Sequence, residues 1–136
     1  MITSIDTSVL LDVFLPDPDH GERSLLALEK AYGEGALVIC NIVYAELAPQ
    51  FMDKYLLDSS LARMGIEIIP VNNAAAHLGG IMWSAYRKKA KKRDRIITDF
   101  LIGSFSKMQS DRLLTRDRGF YRNYFEGLML MSPVGE

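Results

Sequence analysis

The chain has 136 residues, 49% hydrophobic and 24% charged, enough for one domain to bury a core and without the polar excess of a disordered segment. Its formal net charge of −1 hides an uneven distribution: residues 1–60 carry three basic and ten acidic side chains, residues 61–136 thirteen and seven. Cys40 is the only cysteine, and His20 and His77 lie far apart without HExxH or i, i+4 spacing, which excludes an internal disulfide, a Cys-rich cluster and a histidine-based zinc site. Every apolar run is broken by charge well short of the roughly 18 residues of a membrane span, and Met1-Ile2-Thr3-Ser4-Ile5-Asp6 has no basic leader. A cytoplasmic protein is expected, in which any metal is held by oxygen.

Residues 2–5 are a short β-branched stretch ending at Asp6, after which Thr7 or Ser8 is placed to cap a helix through Val9-Leu10-Leu11-Asp12-Val13-Phe14-Leu15. Asp12 is expected on an exposed helical face. A Pro- and Asp-rich loop over 16–21 precedes a second helix, marked by Leu25, Leu26, Leu28 and Tyr32 and ended by Gly33 and Gly35. Ala36-Leu37-Val38-Ile39-Cys40 is a continuous apolar run of the kind buried on both faces of a parallel sheet, and Asn41 is placed to cap the helix that follows to about Tyr55, with Pro49 kinking or dividing it. A short helix over 56–64 leads to a third strand at 66–71. Asn72 or Asn73 caps a helix through Trp83 and Tyr86, with Gly79-Gly80 in its middle, and Thr98 starts another to about Gln109. Residues 111–115 form a fourth strand and 128–131 a short fifth. Helices between successive strands, joined by right-handed crossovers, give a single α/β domain with a parallel sheet covered on both faces.

In such a sheet, ligands collect beyond the carboxyl ends of the strands. Asp6 follows the first strand, Glu46 lies one and a half helical turns beyond the second, Asp99 begins a helix after Thr98, and Asp117 follows the fourth strand. Each has an ordinary structural alternative: a helix cap for Asp6, a paired buried acid for Glu46, a dipole partner for Asp99, a turn residue for Asp117. Gathered together, the four would repel one another, and Mg²⁺ or Mn²⁺ resolves that conflict because hard cations prefer carboxylate oxygen. Such an ion suits phosphodiester hydrolysis without a histidine, and the sequence holds no Gly-rich phosphate loop or Ser or Cys nucleophile motif to suggest another route.

Asp6-Thr7-Ser8 after the first strand, Tyr44-Ala45-Glu46-Leu47 on a helix, Thr98-Asp99 at a helix start and Thr115-Arg116-Asp117 before Gly119-Phe120 occur in the order and spacing of a known family: the chain resembles a PIN domain of the VapC-like toxin type. The resemblance implies a three-layer α/β/α fold on a parallel sheet of four to five strands, over residues 1–136 as one domain. It also implies an Mg²⁺ or Mn²⁺ site and endoribonuclease activity restrained by a cognate antitoxin. Carried over by position, Asp6, Glu46, Asp99 and Asp117 are the catalytic and metal-binding acids, with Thr115 and Ser8 in support. Thr98 departs from the Asn often found there, and Phe100-Leu101-Ile102-Gly103-Ser104 is bulkier than usual.

The segment Arg87 to Arg95 carries seven basic side chains and one acid. Lys91, Lys92 and Arg93, with Arg116, are the candidate contacts to RNA phosphate, the alternative being a solvated helix end whose cations complement the helix dipole. A homodimer is expected. Leu10, Val13 and Phe14 either face another protomer or an antitoxin segment, or form an ordinary core face. Alternative functions are an RNA-processing nuclease outside any toxin pair and a domain that binds RNA or protein without catalysis. A phosphotransfer enzyme fits poorly, because Ser8 stands where a second Asp would be wanted.

Overall fold

The computed structural model describes residues 1–89 and 94–133. Five strands, β1 (Ile2–Ile5), β2 (Ala36–Cys40), β3 (Ile66–Ile69), β4 (Arg112–Leu114) and β5 (Leu130–Met131), form one parallel sheet in the order β3-β2-β1-β4-β5. The helices are α1 (Thr7–Phe14), α2 (Gly21–Glu34), α3 (Asn41–Leu47), α4 (Lys54–Arg63), α5 (Asn73–Lys89), α6 (Ile97–Gln109) and α7 (Arg118–Tyr124). Right-handed crossovers place the helices after β1 and β2 on one face and those after β3 and β4 on the other, giving three layers. Among the described residues no helix is long and apolar enough to cross a membrane.

The sheet changes direction once. From β1 the chain moves outward through β2 to β3, then returns to add β4 on the free side of β1. The crevice beyond the ends of β1 and β4 is therefore the topological switch point, where an open α/β sheet leaves room for a ligand.

Burial on both faces explains the composition of the central strands. Leu37, Val38, Ile39 and Cys40 are all buried, so β2 reads as a continuous apolar run. In β1 the buried polar side chains are satisfied: Ser4 Oγ donates to Ser106 Oγ at 2.7 Å and to the Arg112 carbonyl at 3.0 Å, and Thr3 Oγ1 accepts from Arg112 Nε at 2.8 Å. Arg112 also pairs with Glu34 at 2.8 Å, which accounts for a guanidinium in a central strand.

Several local expectations are corrected. Asp6 itself caps α1, because its extended backbone still belongs to the sheet, its N–H donating to the Leu114 carbonyl at 2.9 Å, while its side chain accepts from the Thr7 N–H. Cys40 occupies the cap of α3, and Asn41, already helical, accepts from the Val71 N–H at 3.2 Å instead. Asn72 does cap α5, accepting from the Ala75 N–H at 2.9 Å. Pro49 does divide its helix: α3 ends at Leu47 and a 3₁₀ turn covers Ala48–Gln50. On α2 the inward face is Ser24, Ala27, Leu28 and Ala31, whereas Leu25, Leu26 and Tyr32 are exposed; small residues let the helix lie close to its neighbours. Leu10 is fully buried, and Val13 and Phe14 pack against the core, Phe14 meeting Phe51 edge-on at 5.2 Å, so that face is core.

Candidate functional site

The four acids arrive from four elements. Asp6 stands at the end of β1 and Asp117 two residues beyond the buried Thr115 that follows β4. Glu46 lies on the second turn of α3, directly after β2, and Asp99 in the first turn of α6. All four line one cleft of about 480 Å³, with Thr7, Ser8, Leu11, Arg95, Ile102 and Arg116 completing its wall.

Each carboxylate is oriented by a donor. Asp6 Oδ1 accepts from the Thr7 N–H at 2.8 Å and Oδ2 from the Thr115 hydroxyl at 2.7 Å. The same Thr115 oxygen accepts from the Asp117 N–H at 2.9 Å, so one hydroxyl links the ends of β1 and β4. Thr7 Oγ1 donates to Glu46 Oε1 at 2.6 Å, and Asp99 Oδ2 accepts from the Ile96 N–H at 3.1 Å. Asp117 Oδ2 is 2.6 Å from the Arg95 guanidinium, which lies 4.3 Å over the Phe120 ring.

Burial pushes the Asp6 carboxyl up to about 6; the hydrogen bonds from Thr115 and Thr7 oppose this, while the charges of Glu46 and Asp99 add to it. The Tyr121 hydroxyl is pushed upward by burial and then by Asp6, Asp99 and Asp117, so it stays protonated. The cleft is thus a site of accumulated negative charge with oxygen donors alone, the donor chemistry that suits Mg²⁺ or Mn²⁺. Among the described residues, no three such groups converge closely enough to enclose an ion as they stand.

The structure brings Asp6, Glu46, Asp99, Asp117, Thr115, Ser8 and Arg116 to the same cleft. Lys91, Lys92 and Arg93 lie outside the described residues. Two residues were misread from sequence. Asp12 is 5% exposed, not on an open face: its carboxylate takes Arg116 and the Ser24 hydroxyl. Arg95, read as one of a run of surface cations, turns inward to Asp117. Thr7, assigned only as a possible cap, is the donor to Glu46; its place beside Asp6 was the available signal.

Among curated protein sequences none matches this chain. Solved structures do. The chain is similar to VapBC2 from Rickettsia felis bound to a DNA fragment from their promoter, at a TM-score of 0.72 and 22% identity over 98% of this chain and 99% of that one. VapBC-1 from nontypeable Haemophilus influenzae matches at 0.69 and 15% over 97% and 98%. The Mycobacterium tuberculosis sarcin-ricin loop cleaving toxin VapC20 matches at 0.56 and 11% over 87% and 93%. At these identities the likeness is one of fold. The sequence itself matches the PIN domain profile over residues 4–126, a span that takes in all four acids. The chain therefore belongs to the PIN-domain family.

Proposed function

We propose that this protein is a divalent-metal-dependent endoribonuclease, the toxin of a type II toxin–antitoxin pair. The observation that carries this reading is the meeting of Asp6, Glu46, Asp99 and Asp117 in one cleft at the switch point of the sheet. The toxin half is supported by the fold shared with VapBC proteins and with a toxin described as cleaving the sarcin-ricin loop.

The four carboxylates would hold Mg²⁺ or Mn²⁺, which when bound stabilises charge on a phosphoryl oxygen and makes water a better nucleophile. Thr115 keeps the Asp6 carboxylate aimed into the cleft and lowers its affinity for a proton, which leaves it ready to act as a ligand. Thr7 does the same for the direction of Glu46, and Ser8 lines the floor beside them. Arg116 contacts RNA phosphate at the rim, and Lys91, Lys92 and Arg93 draw the strand in.

The working form is proposed to be a cytoplasmic homodimer held by an antitoxin. Exposed apolar side chains on α2 and α4, among them Leu25, Leu26, Tyr32 and Tyr55, are in keeping with a partner surface. The test is cleavage mapping of total cellular RNA with wild type and Asp99→Asn, in Mg²⁺ and in EDTA. Discrete cuts that need both Asp99 and the metal are expected; cuts that survive the substitution or the chelator would overturn the assignment. Expression with and without an adjacent antitoxin gene tests the pair: growth arrest is expected only without it.

A further inference from the structure

Arg95 and Arg116 both line the acidic cleft, yet they are held in different ways. Arg95 is paired with Asp117, one of the four acids. Arg116 is paired with Asp12, which lies outside them: Nε donates to Oδ2 at 2.9 Å and Nη2 to Oδ1 at 3.1 Å, a two-pronged fork that fixes the guanidinium plane. Asp12 is itself fixed, being 5% exposed, with the buried Ser24 hydroxyl donating to its Oδ2 at 2.7 Å. The fork uses two of the five N–H groups of Arg116, and the rest have no acceptor among the described residues.

A cation next to four carboxylates is drawn toward them, as the 2.6 Å contact of Arg95 illustrates. Resting on the acids, it would compete with a metal for the same oxygens. We propose that Asp12, oriented by Ser24, is a positioning residue that holds Arg116 back on the rim of the cleft, keeping it off the metal-binding acids and presenting its unused N–H groups to a substrate phosphate. This rests on the metal-dependent nuclease reading and adds to it a residue that touches neither metal nor RNA. The fork leaves the Arg116 side chain 30% exposed, so the free edge is within reach of a bound strand.

Two measurements separate this role from simple anchoring of the β4–α7 loop. The first is Mn²⁺ affinity by calorimetry without RNA, on the full chain. Asp12→Asn, nearly isosteric and checked for folding by circular dichroism, should weaken Mn²⁺ binding about tenfold as Arg116 moves onto the acids. Asp12→Asn combined with Arg116→Ala should restore it. Ser24→Ala, a milder change, should fall between wild type and Asp12→Asn. The second is cleavage of a labelled RNA in Mn²⁺. Arg116→Ala, Arg116→Lys and Asp12→Asn should each raise KM about tenfold with a much smaller change in kcat, Lys failing because it lacks the fork.

If the double variant binds Mn²⁺ as weakly as Asp12→Asn alone, or if KM is unmoved in Arg116→Ala, the positioning role is wrong. A wild-type chain that takes up no Mn²⁺ and cuts no RNA would instead overturn the nuclease reading, and this role with it, before any variant is compared.

Discussion

Thr115 shows how much one buried hydroxyl organises: it donates to the Asp6 carboxylate and accepts from the Asp117 backbone N–H, so it ties two of the four acids together across the ends of β1 and β4. Thr115→Val should cost about 1–3 kcal/mol in denaturant unfolding and weaken Mn²⁺ binding, because both bonds are lost in a fully buried position, whereas Thr115→Ser should keep most of both. Asp6 carries a pH signature. Its folded carboxyl at about 6 lies above the ordinary 3.8, so the folded state holds the proton more tightly than the unfolded chain. The stability this contributes is fully present below about 3.8 and is lost as pH rises through about 6, leaving a charged, desolvated carboxylate at neutral pH. In EDTA, the stability of Asp6→Asn relative to wild type should therefore rise by roughly 2–3 kcal/mol between pH 4 and pH 7.5, read as a change in the Tm difference between the two proteins. Asp6 and Asp117 were legible in sequence because each follows a strand. Asp12 was not, because nothing in its own stretch announces Arg116, 104 positions away.

Helices α5 and α6 pack closely, and their glycines show where. A Cβ at Gly79 would lie 2.9 Å from Leu101 Cδ2 and Ser104 Oγ, while one at Gly80 would meet nothing within 4 Å. Gly80→Ala should therefore stabilise by about 0.5–1 kcal/mol through helix propensity alone, read as a rise in Tm. Gly103, on the helix that carries Asp99, is different: its Cβ would come within 2.3 Å of the Phe125 ring. Gly103→Ala should destabilise by about 1–3 kcal/mol and lower cleavage activity as α6 shifts. The same ring belongs to a cluster in which Phe100 meets Phe120, Tyr124 and Tyr86 at centroid distances of 5.2–5.5 Å. The bulky Phe100-Leu101-Ile102 stretch is thus accommodated by aromatic partners from α5, α7 and the residue after α7. Pro49 and Asn72 were readable as helix punctuation because backbone chemistry is local. Leu25, Leu26 and Tyr32, whose spacing marked α2 as a helix, lie on its exposed side, because close packing and the needs of Asp12 favour Ser24, Ala27 and Ala31 on the inward face.

At the scale of the whole molecule, the near-zero net charge conceals a division between an acidic cleft and a basic segment at 87–95. If that segment meets RNA, replacing Lys91, Lys92 and Arg93 with Ala should lower the slope of log affinity against log salt by about 2, as expected for three single-strand phosphate contacts, with Mn²⁺ affinity unchanged. An unchanged slope would leave the segment without a steering role. The strand order β3-β2-β1-β4-β5 explains why acids so far apart in sequence share one cleft: adding β4 beside β1 brings Asp117 next to Asp6, and α3 and α6 deliver Glu46 and Asp99 to the same rim. The sequence by itself determined the alternation of strands and helices and the parallel sheet, and marked four acids as candidates for one rim, because apolar runs, caps and strand ends are written in neighbouring residues. Only the tertiary structure decided which charges meet which. Arg95 lies on Asp117, Arg116 on the buried Asp12, and Thr7 on Glu46, because side-chain pairing depends on distances across the switch point that no stretch of sequence contains.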